Sequence, residues 1–112
     1  MFVAHATLGA DGSTWEWSEE GLKPYQGLVV DPAAQVLNYG QSVFEGMKAQ
    51  RTPEGDIVLF RPEENAKRLQ DGSARMSMEA PSVELFLRGV YETVRANAAY
   101  VPPHGKGALY LR

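Results

Sequence analysis

The sequence predicts an α+β domain with two helices on one side of a mostly antiparallel sheet. Short runs of alternating apolar and polar residues, typical of strands, occupy roughly the first half of the chain. Two runs with the spacing of amphipathic helices follow them, and an alternating apolar run at residues 108–112 indicates a further strand. Strands followed by a group of helices, instead of strands and helices that alternate, are typical of α+β domains.

The first two strands are predicted at residues 2–7 and 14–18, joined by a turn rich in glycine and aspartate. In the second strand Trp15 and Trp17 alternate with polar residues and should share one face. We expect both to pack in a core or an interface rather than to stack on a ligand. A brief strand at residues 28–30 and a single helical turn at residues 33–37 are predicted next.

Residues 37–51, LNYGQSVFEGMKAQR, place aromatic and charged side chains close together between glycines and indicate a strand that carries a site. From the residues alone, Tyr39 and Phe44 are either walls of an apolar pocket or ordinary core residues. Glu45 has the chemistry of an acid or a base, but no partner for it lies nearby in the sequence. The segment therefore suggests a site without naming its ligand.

A hairpin and two helices are predicted to follow. Residues 43–51 and 56–60 read as the two strands of the hairpin. A proline followed by two glutamates is typical of a helix start, which predicts a helix from residue 62 to about residue 75. Ser82 is positioned to cap a second helix that spans residues 83 to about 97.

Two arginines are candidate anion ligands. Arg61 lies where a strand leads into a helix, so it either binds an anion beside the helix N-terminus or pairs weakly with the glutamates behind it. Arg112 and Tyr110 should project from the same strand face, an arrangement that suits a carboxylate but also occurs on an amphipathic edge strand. The glycines at residues 105 and 107 lack the spacing of a phosphate-binding loop.

Composition excludes several classes of function. The 112 residues suffice for one domain or part of a larger one, and 44% hydrophobic with 22% charged residues is ordinary globular composition. A net charge of −3 without a basic block makes nucleic acid and anionic membrane poor partners. With no cysteine and only two distant histidines, neither a disulfide nor a metal centre is expected.

The sequence also bears on location. No apolar run approaches the roughly 18 residues that a membrane span needs. The first 20 residues lack the basic and apolar regions of a secretory signal, and four acidic residues among them argue against a transit peptide. The default expectation is a cytoplasmic protein, or a mitochondrial or plastid one if a targeting segment has been removed.

Three separated motifs, LNYGQSVFEGMKAQR, IVLFRPEENAKRL and GALYLR, together resemble the branched-chain amino acid aminotransferases, most nearly the form in plants, fungi and many bacteria. The resemblance runs from about Lys23 to Arg112. It implies that residues 1–112 are the small N-terminal domain of a fold type IV pyridoxal-phosphate enzyme, without the large domain. The implied reaction is reversible amino transfer between leucine, isoleucine or valine and 2-oxoglutarate.

The same resemblance implies roles for five residues. Arg61 matches the arginine that holds the phosphate of pyridoxal 5'-phosphate. Tyr39 and Phe44 match aromatic residues that line the pocket for the branched side chain. Tyr110 matches a tyrosine on the substrate side, and Arg112 matches the arginine that receives the distal carboxylate of glutamate or 2-oxoglutarate. Members of the family are commonly homodimers.

The resemblance also sets limits on what the chain can do alone. In the family, the lysine that forms the Schiff base lies in the large domain, and none of the four lysines here matches it. We therefore expect the 112-residue chain to be an inactive fragment of an active parent. The family has an aromatic residue where Gln50 stands. The alternatives are a related class IV enzyme, namely a D-amino acid aminotransferase or an aminodeoxychorismate lyase, and a non-catalytic truncated remnant.

Overall fold

A computed structural model describes residues 1–112 and confirms the α+β class. The chain forms five strands, three α-helices and one short 3₁₀-helix. In chain order these are β1 (Phe2–Leu8), β2 (Trp15–Leu22), α1 (Gln35–Tyr39), β3 (Met47–Arg51), β4 (Ile57–Leu59), α2 (Pro62–Arg75), α3 (Val83–Ala96), the 3₁₀-helix (Ala98–Tyr100) and β5 (Leu109–Leu111). None of the helices combines the length and the apolar character needed to cross a membrane.

The strands form two separate antiparallel sheets instead of one. Strands β1 and β2 make a two-stranded hairpin. Strand β3 is the central strand of a three-stranded sheet, with β4 on one side and β5 on the other. The pairing of β3 with β5 joins residues more than 60 positions apart and places Lys48 opposite Tyr110.

Two of the predicted strand regions lack strand structure. Residues 28–30 are irregular and Val29 is fully exposed, because no other segment pairs with them. Strand β3 begins only at Met47, so residues 43–46 are not part of it. The backbone of Gly46 bonds to side chains instead of to a neighbouring strand: its N–H donates to Glu45 and its carbonyl accepts from Asn65.

Both long helices begin where the sequence predicts. Helix α3 is capped by Ser82, whose hydroxyl oxygen accepts a hydrogen bond from the Leu85 N–H at 3.1 Å. Helix α2 begins with Pro62 and carries two glutamates in its first turn. The residue before it, Arg61, has a left-handed backbone with φ 46°.

The core lies between the three-stranded sheet and the helices. Alternation along the three strands turns one set of side chains inward, and Ala49 in the centre is completely buried. Ala66 of α2 and both Val90 and Val94 of α3 contribute to the same interior. The opposite sheet face is open and carries Lys48, Gln50, Val58 and Tyr110. This open face supplies one wall of the candidate site.

The β1–β2 hairpin packs against α3. A glycine allows the close approach, since a Cβ on Gly89 would lie 3.0 Å from Cδ1 of Phe2. An apolar cavity of about 790 Å³ separates the hairpin from α3 and β5, and Trp17 lines it. The segment between the hairpin and β3 is largely exposed, including Tyr25 and Phe44.

Candidate functional site

The open sheet face and the first half of α2 enclose a groove of about 740 Å³. Arg61 and Tyr110, predicted from widely separated parts of the sequence, both line it. Their meeting follows from the sheet order, because Arg61 follows β4, Tyr110 lies on β5, and both of these strands pair with β3. Charged and amide side chains make up half of the remaining lining residues, namely Lys48, Gln50, Glu64, Asn65 and Arg68.

Arg61 presents a nearly free guanidinium at the start of α2. Its side chain is 67% exposed, and its one ion pair is a 3.8 Å contact with Glu64. A left-handed backbone is uncommon for a residue with a side chain and costs roughly 1–2 kcal/mol. Such strain concentrates at functional sites, where it directs a side chain. The weak ion pair leaves the guanidinium able to accept another anion.

Tyr110 lies directly over the backbone of Gly46. A Cβ on Gly46 would lie 3.0 Å from Cζ of the tyrosine and closer still to its hydroxyl oxygen, so no larger residue fits beneath the ring. Lys48, opposite Tyr110 on β3, projects from the same sheet face and lines the same groove. Tyr110 therefore has a glycine beneath it and a cation beside it.

Phe44 and Arg112 contact each other. The guanidinium carbon of Arg112 lies 5.0 Å from the centre of the Phe44 ring, within the range of a cation–π interaction. Arg112 and Tyr110 both line the apolar cavity beside β5. Tyr110 thus belongs to the groove and to the apolar cavity alike.

Tyr39 does not join this group in the isolated chain. It is the last residue of α1, with a 77% exposed side chain, and it lines neither the groove nor the apolar cavity. Gly40, with φ 62°, follows it and ends the helix. The other four predicted site residues are brought together around Tyr110, and Tyr39 remains outside.

Glu45 has partners that inspection of neighbouring sequence misses. Its side chain is only 8% exposed and accepts hydrogen bonds from Arg68 Nε at 2.6 Å and Asn65 Nδ2 at 3.2 Å. The hydrogen bonds from Arg68 are the main cause that lowers the pKa of Glu45 to about 2, followed by those from Gly46 and Asn65, while burial acts in the opposite direction. Both side-chain partners come from α2, at least 20 residues along the chain, although their helical spacing could have indicated a shared face.

Comparison with known proteins shows which enzymes the chain is similar to. No protein-family model matches the chain. The chain is 53% identical over 97 residues to the chloroplastic branched-chain-amino-acid aminotransferase 5 of Arabidopsis thaliana. The aligned residues make up 87% of the chain and 23% of that relative. It is 42% identical over all 112 residues to branched-chain-amino-acid aminotransferase 6 of the same plant, 30% of which is covered. In sequence, the chain is therefore similar to a part of these branched-chain aminotransferases.

The match has three further features. The chain spans only about a quarter of the length of the branched-chain aminotransferases that it matches. A methionine aminotransferase of Arabidopsis thaliana is also 42% identical over all 112 residues, with 30% of it covered. Four of the related branched-chain aminotransferases are named as chloroplastic and two as mitochondrial. The relatives therefore differ in named substrate and in named compartment.

The charge of the groove suits an anionic cofactor. Three of its lining side chains are cationic and one is acidic: Lys48, Arg61, Arg68 and Glu64. Since Arg68 is paired with Glu45, the cations free for a ligand are Lys48 and Arg61. A phosphate group beside Arg61 would also lie at the positive end of the α2 dipole. The residues present thus fit the phosphate of the cofactor that branched-chain aminotransferases use.

Proposed function

We propose that this chain supplies the cofactor-phosphate and substrate side of a branched-chain amino acid aminotransferase that uses pyridoxal 5'-phosphate. The observation that carries the proposal is the shared groove of Arg61 and Tyr110 in a chain 53% identical to a named enzyme of this family. When bound, the cofactor supplies the electron sink for amino transfer, and the protein supplies binding and orientation. The proposed reaction exchanges the amino group of leucine, isoleucine or valine with 2-oxoglutarate.

Arg61 is proposed to bind the phosphate of the cofactor. A planar guanidinium donates two parallel hydrogen bonds to a phosphate, which a single ammonium cannot reproduce in the same geometry. The only competing acid, Glu64, lies at 3.8 Å and is itself held by Lys67 at 2.9 Å. Phosphate binding therefore needs little rearrangement of the side chains around Arg61.

The residues around Tyr110 are proposed to bind the substrate. Arg112 is suited to the distal carboxylate of glutamate or 2-oxoglutarate, and Phe44 offers an apolar wall to an aliphatic side chain. These two residues contact each other, and neither lines the groove that holds Arg61. Tyr39 is proposed as a second aromatic wall, which requires α1 to move toward the site when the rest of the enzyme is present.

Residues 1–112 are proposed to form the small domain of a longer protein that acts as a homodimer. Large apolar side chains, among them Tyr25, Leu28 and Val29, are exposed in the segment that follows β2. An uncovered stretch of this kind is typical of surfaces that other protein covers. A plastid or mitochondrial location is proposed from the names of the relatives in preference to the cytoplasm.

The phosphate assignment is tested in a hybrid enzyme, in which these 112 residues replace the matching segment of Arabidopsis branched-chain-amino-acid aminotransferase 6. We expect Arg61→Ala to release pyridoxal phosphate on dialysis and Arg61→Lys to retain more of it, because the lysine keeps the charge but not the fork. Arg75→Ala, at the far end of α2, is the matched control and should retain the cofactor. Equal retention by all three variants would refute the assignment.

Methionine is a second candidate substrate, favoured by the identity to a methionine aminotransferase over the whole chain. An unbranched thioether side chain would also fit beside an exposed aromatic wall such as Phe44. A panel that compares leucine and methionine as amino donors to the hybrid enzyme distinguishes the two. Higher kcat/KM for methionine would select this candidate.

The isolated chain is proposed to be inactive, since it carries only part of the active site. Purified chain incubated with pyridoxal phosphate, leucine and 2-oxoglutarate should form no more glutamate than the free cofactor does. Turnover above that background would show that the 112 residues hold a complete catalytic apparatus.

A further inference from the structure

We propose that Glu45, Asn65 and Arg68 form a frame that fixes the Gly46 peptide beneath Tyr110 and thereby positions Tyr110 relative to Arg61. Glu45 is in this view a positioning residue that acts through Gly46. That the position of Tyr110 matters for substrate binding rests on the proposed function. The frame itself is a property of this chain and is testable without the reaction.

Both polar groups of the Gly46 backbone are held by the frame. The Gly46 N–H donates to Glu45 Oε1 at 2.7 Å, and the Gly46 carbonyl accepts from Asn65 Nδ2 at 3.2 Å. Asn65 also donates to Glu45 Oε1 at 3.2 Å, which closes a ring of hydrogen bonds around the peptide. Gly46 is therefore attached to α2 immediately before β3 begins.

Glu45 remains ionised although it is nearly buried. Arg68 donates from Nε and from Nη2 to the two carboxylate oxygens, a bidentate arrangement that is among the strongest side-chain pairs in proteins. The Arg68 side chain is 70% exposed, so this ion pair links a nearly buried carboxylate to a guanidinium at the surface. A buried acid with this many donors is built to stay charged and fixed, which differs from an acid that exchanges protons.

The frame connects to Tyr110 through close packing. The tyrosine ring lies against the Gly46 backbone, and any shift of that peptide moves the surface on which the ring lies. On the opposite side, Glu45 follows Phe44, whose ring contacts Arg112. One segment of three residues thus supports both the tyrosine and the aromatic wall.

The frame also connects to Arg61 through α2. Asn65 and Arg68 are three residues apart on one face of α2, Arg61 directly precedes that helix, and all three line the groove. Asn65 and Arg68 hold Gly46, and Arg61 is left free at the start of the helix. Helix α2 therefore links the phosphate side to the substrate side.

The first test is backbone hydrogen exchange in the 112-residue chain, measured by NMR. In Glu45→Gln we expect the Gly46 amide to exchange about tenfold faster or more, because a neutral amide oxygen accepts more weakly than the carboxylate does, and the ring signals of Tyr110 to shift. The matched control is Glu19→Gln, which removes the 2.9 Å pair with Arg88 far from the groove and should change neither signal. An unchanged Gly46 amide in Glu45→Gln, or an equal change in the control, would overturn the proposal.

A second variant keeps the test decisive if Glu45→Gln fails to fold. Arg68→Met removes an exposed side chain and leaves Glu45, Asn65 and Gly46 in place. We expect a smaller change in the same direction at Gly46 and at Tyr110. No change at either residue would show that the ion pair does not support the frame.

Glutarate, a dicarboxylate probe for the substrate side, separates this inference from the proposed function. We expect it to shift the signals of Tyr110 and Arg112 in the native chain, and to bind about tenfold more weakly to Glu45→Gln. If glutarate shifts neither residue in the native chain, the substrate assignment fails, and the Gly46 exchange data still decide the frame. Equal glutarate affinity in both proteins would contradict the positioning role.

Discussion

The backbone strain at Arg61 gives a quantitative prediction about stability and function. Arg61 adopts φ 46° and ψ 55° immediately before α2, a conformation that glycine reaches freely and other residues do not. Arg61→Gly removes the Cβ that causes the strain, and Arg61→Ala keeps it. Both substitutions lose the same exposed 3.8 Å contact with Glu64, so this contact cancels in the comparison.

The expected difference follows from two opposing effects. A side chain in the left-handed region costs roughly 1–2 kcal/mol, which glycine recovers. Glycine loses roughly 0.5–1 kcal/mol more conformational entropy on folding than alanine does. The balance predicts that Arg61→Gly is about 0.5–1 kcal/mol more stable than Arg61→Ala.

Denaturation of the 112-residue chain by urea, followed by tryptophan fluorescence, measures this difference. Both variants should lose the phosphate site equally, because neither has a guanidinium. Arg61→Gly is then expected to be more stable than Arg61→Ala and still to lack the proposed phosphate ligand. Such a trade-off between stability and function is expected where a binding residue has a strained backbone. An Arg61→Ala variant as stable as Arg61→Gly, or more so, would show that the backbone is not strained there.

Three other predictions concern stability. Glu45→Gln should flatten the dependence of stability on pH. The hydrogen-bonded carboxylate of Glu45, with its pKa lowered from 4.5 to about 2, stabilises the fold above pH 4.5 and progressively less as the pH falls toward 2. The urea midpoint of the native chain should therefore fall more steeply over this pH range than that of the variant. Arg51→Met should destabilise the fold by about 1–3 kcal/mol, because Arg51 donates hydrogen bonds to the carbonyls of Gly55 at 2.8 Å and Ala98 at 3.1 Å. Arg95→Met, which changes an exposed arginine, is the control. Equal urea midpoints for the two variants would contradict the role of Arg51. Gly89→Val should cost about 1–3 kcal/mol by displacing β1 from α3, seen as increased tryptophan exposure to a quencher, and an unchanged quenching constant would count against this packing.

The helices could be predicted from the sequence because their signals are local. Pro62 and Ser82 mark the starts of α2 and α3. Proline lacks an N–H at a position where the helix would leave it unbonded, and the Ser82 side chain accepts from an N–H in the first turn of its own helix. The strands depend on partners elsewhere in the chain. Residues 28–30 have the composition of a strand but no partner, and β3 begins late because the Gly46 backbone bonds to the side chains of Glu45 and Asn65.

The candidate site shows the same division between local and distant information. The chemistry of Arg61, Tyr110 and Arg112 could be inferred from residue type and strand alternation. Their convergence could not, because it requires the register that sets Lys48 against Tyr110 across the β3–β5 pair. The hydrogen-bond partners of Glu45 could not be predicted either, because Arg68 lies 23 residues further along the chain.

Amino transfer by the hybrid enzyme tests the proposed function most directly. Glutamate formed from leucine and 2-oxoglutarate is measured for the hybrid that carries this chain in Arabidopsis branched-chain-amino-acid aminotransferase 6, with and without Arg61→Ala. We predict turnover by the hybrid and its loss in the variant, because Arg61 in the groove is proposed to bind the cofactor phosphate. A folded hybrid without turnover, or turnover that Arg61→Ala leaves unchanged, would contradict the proposal.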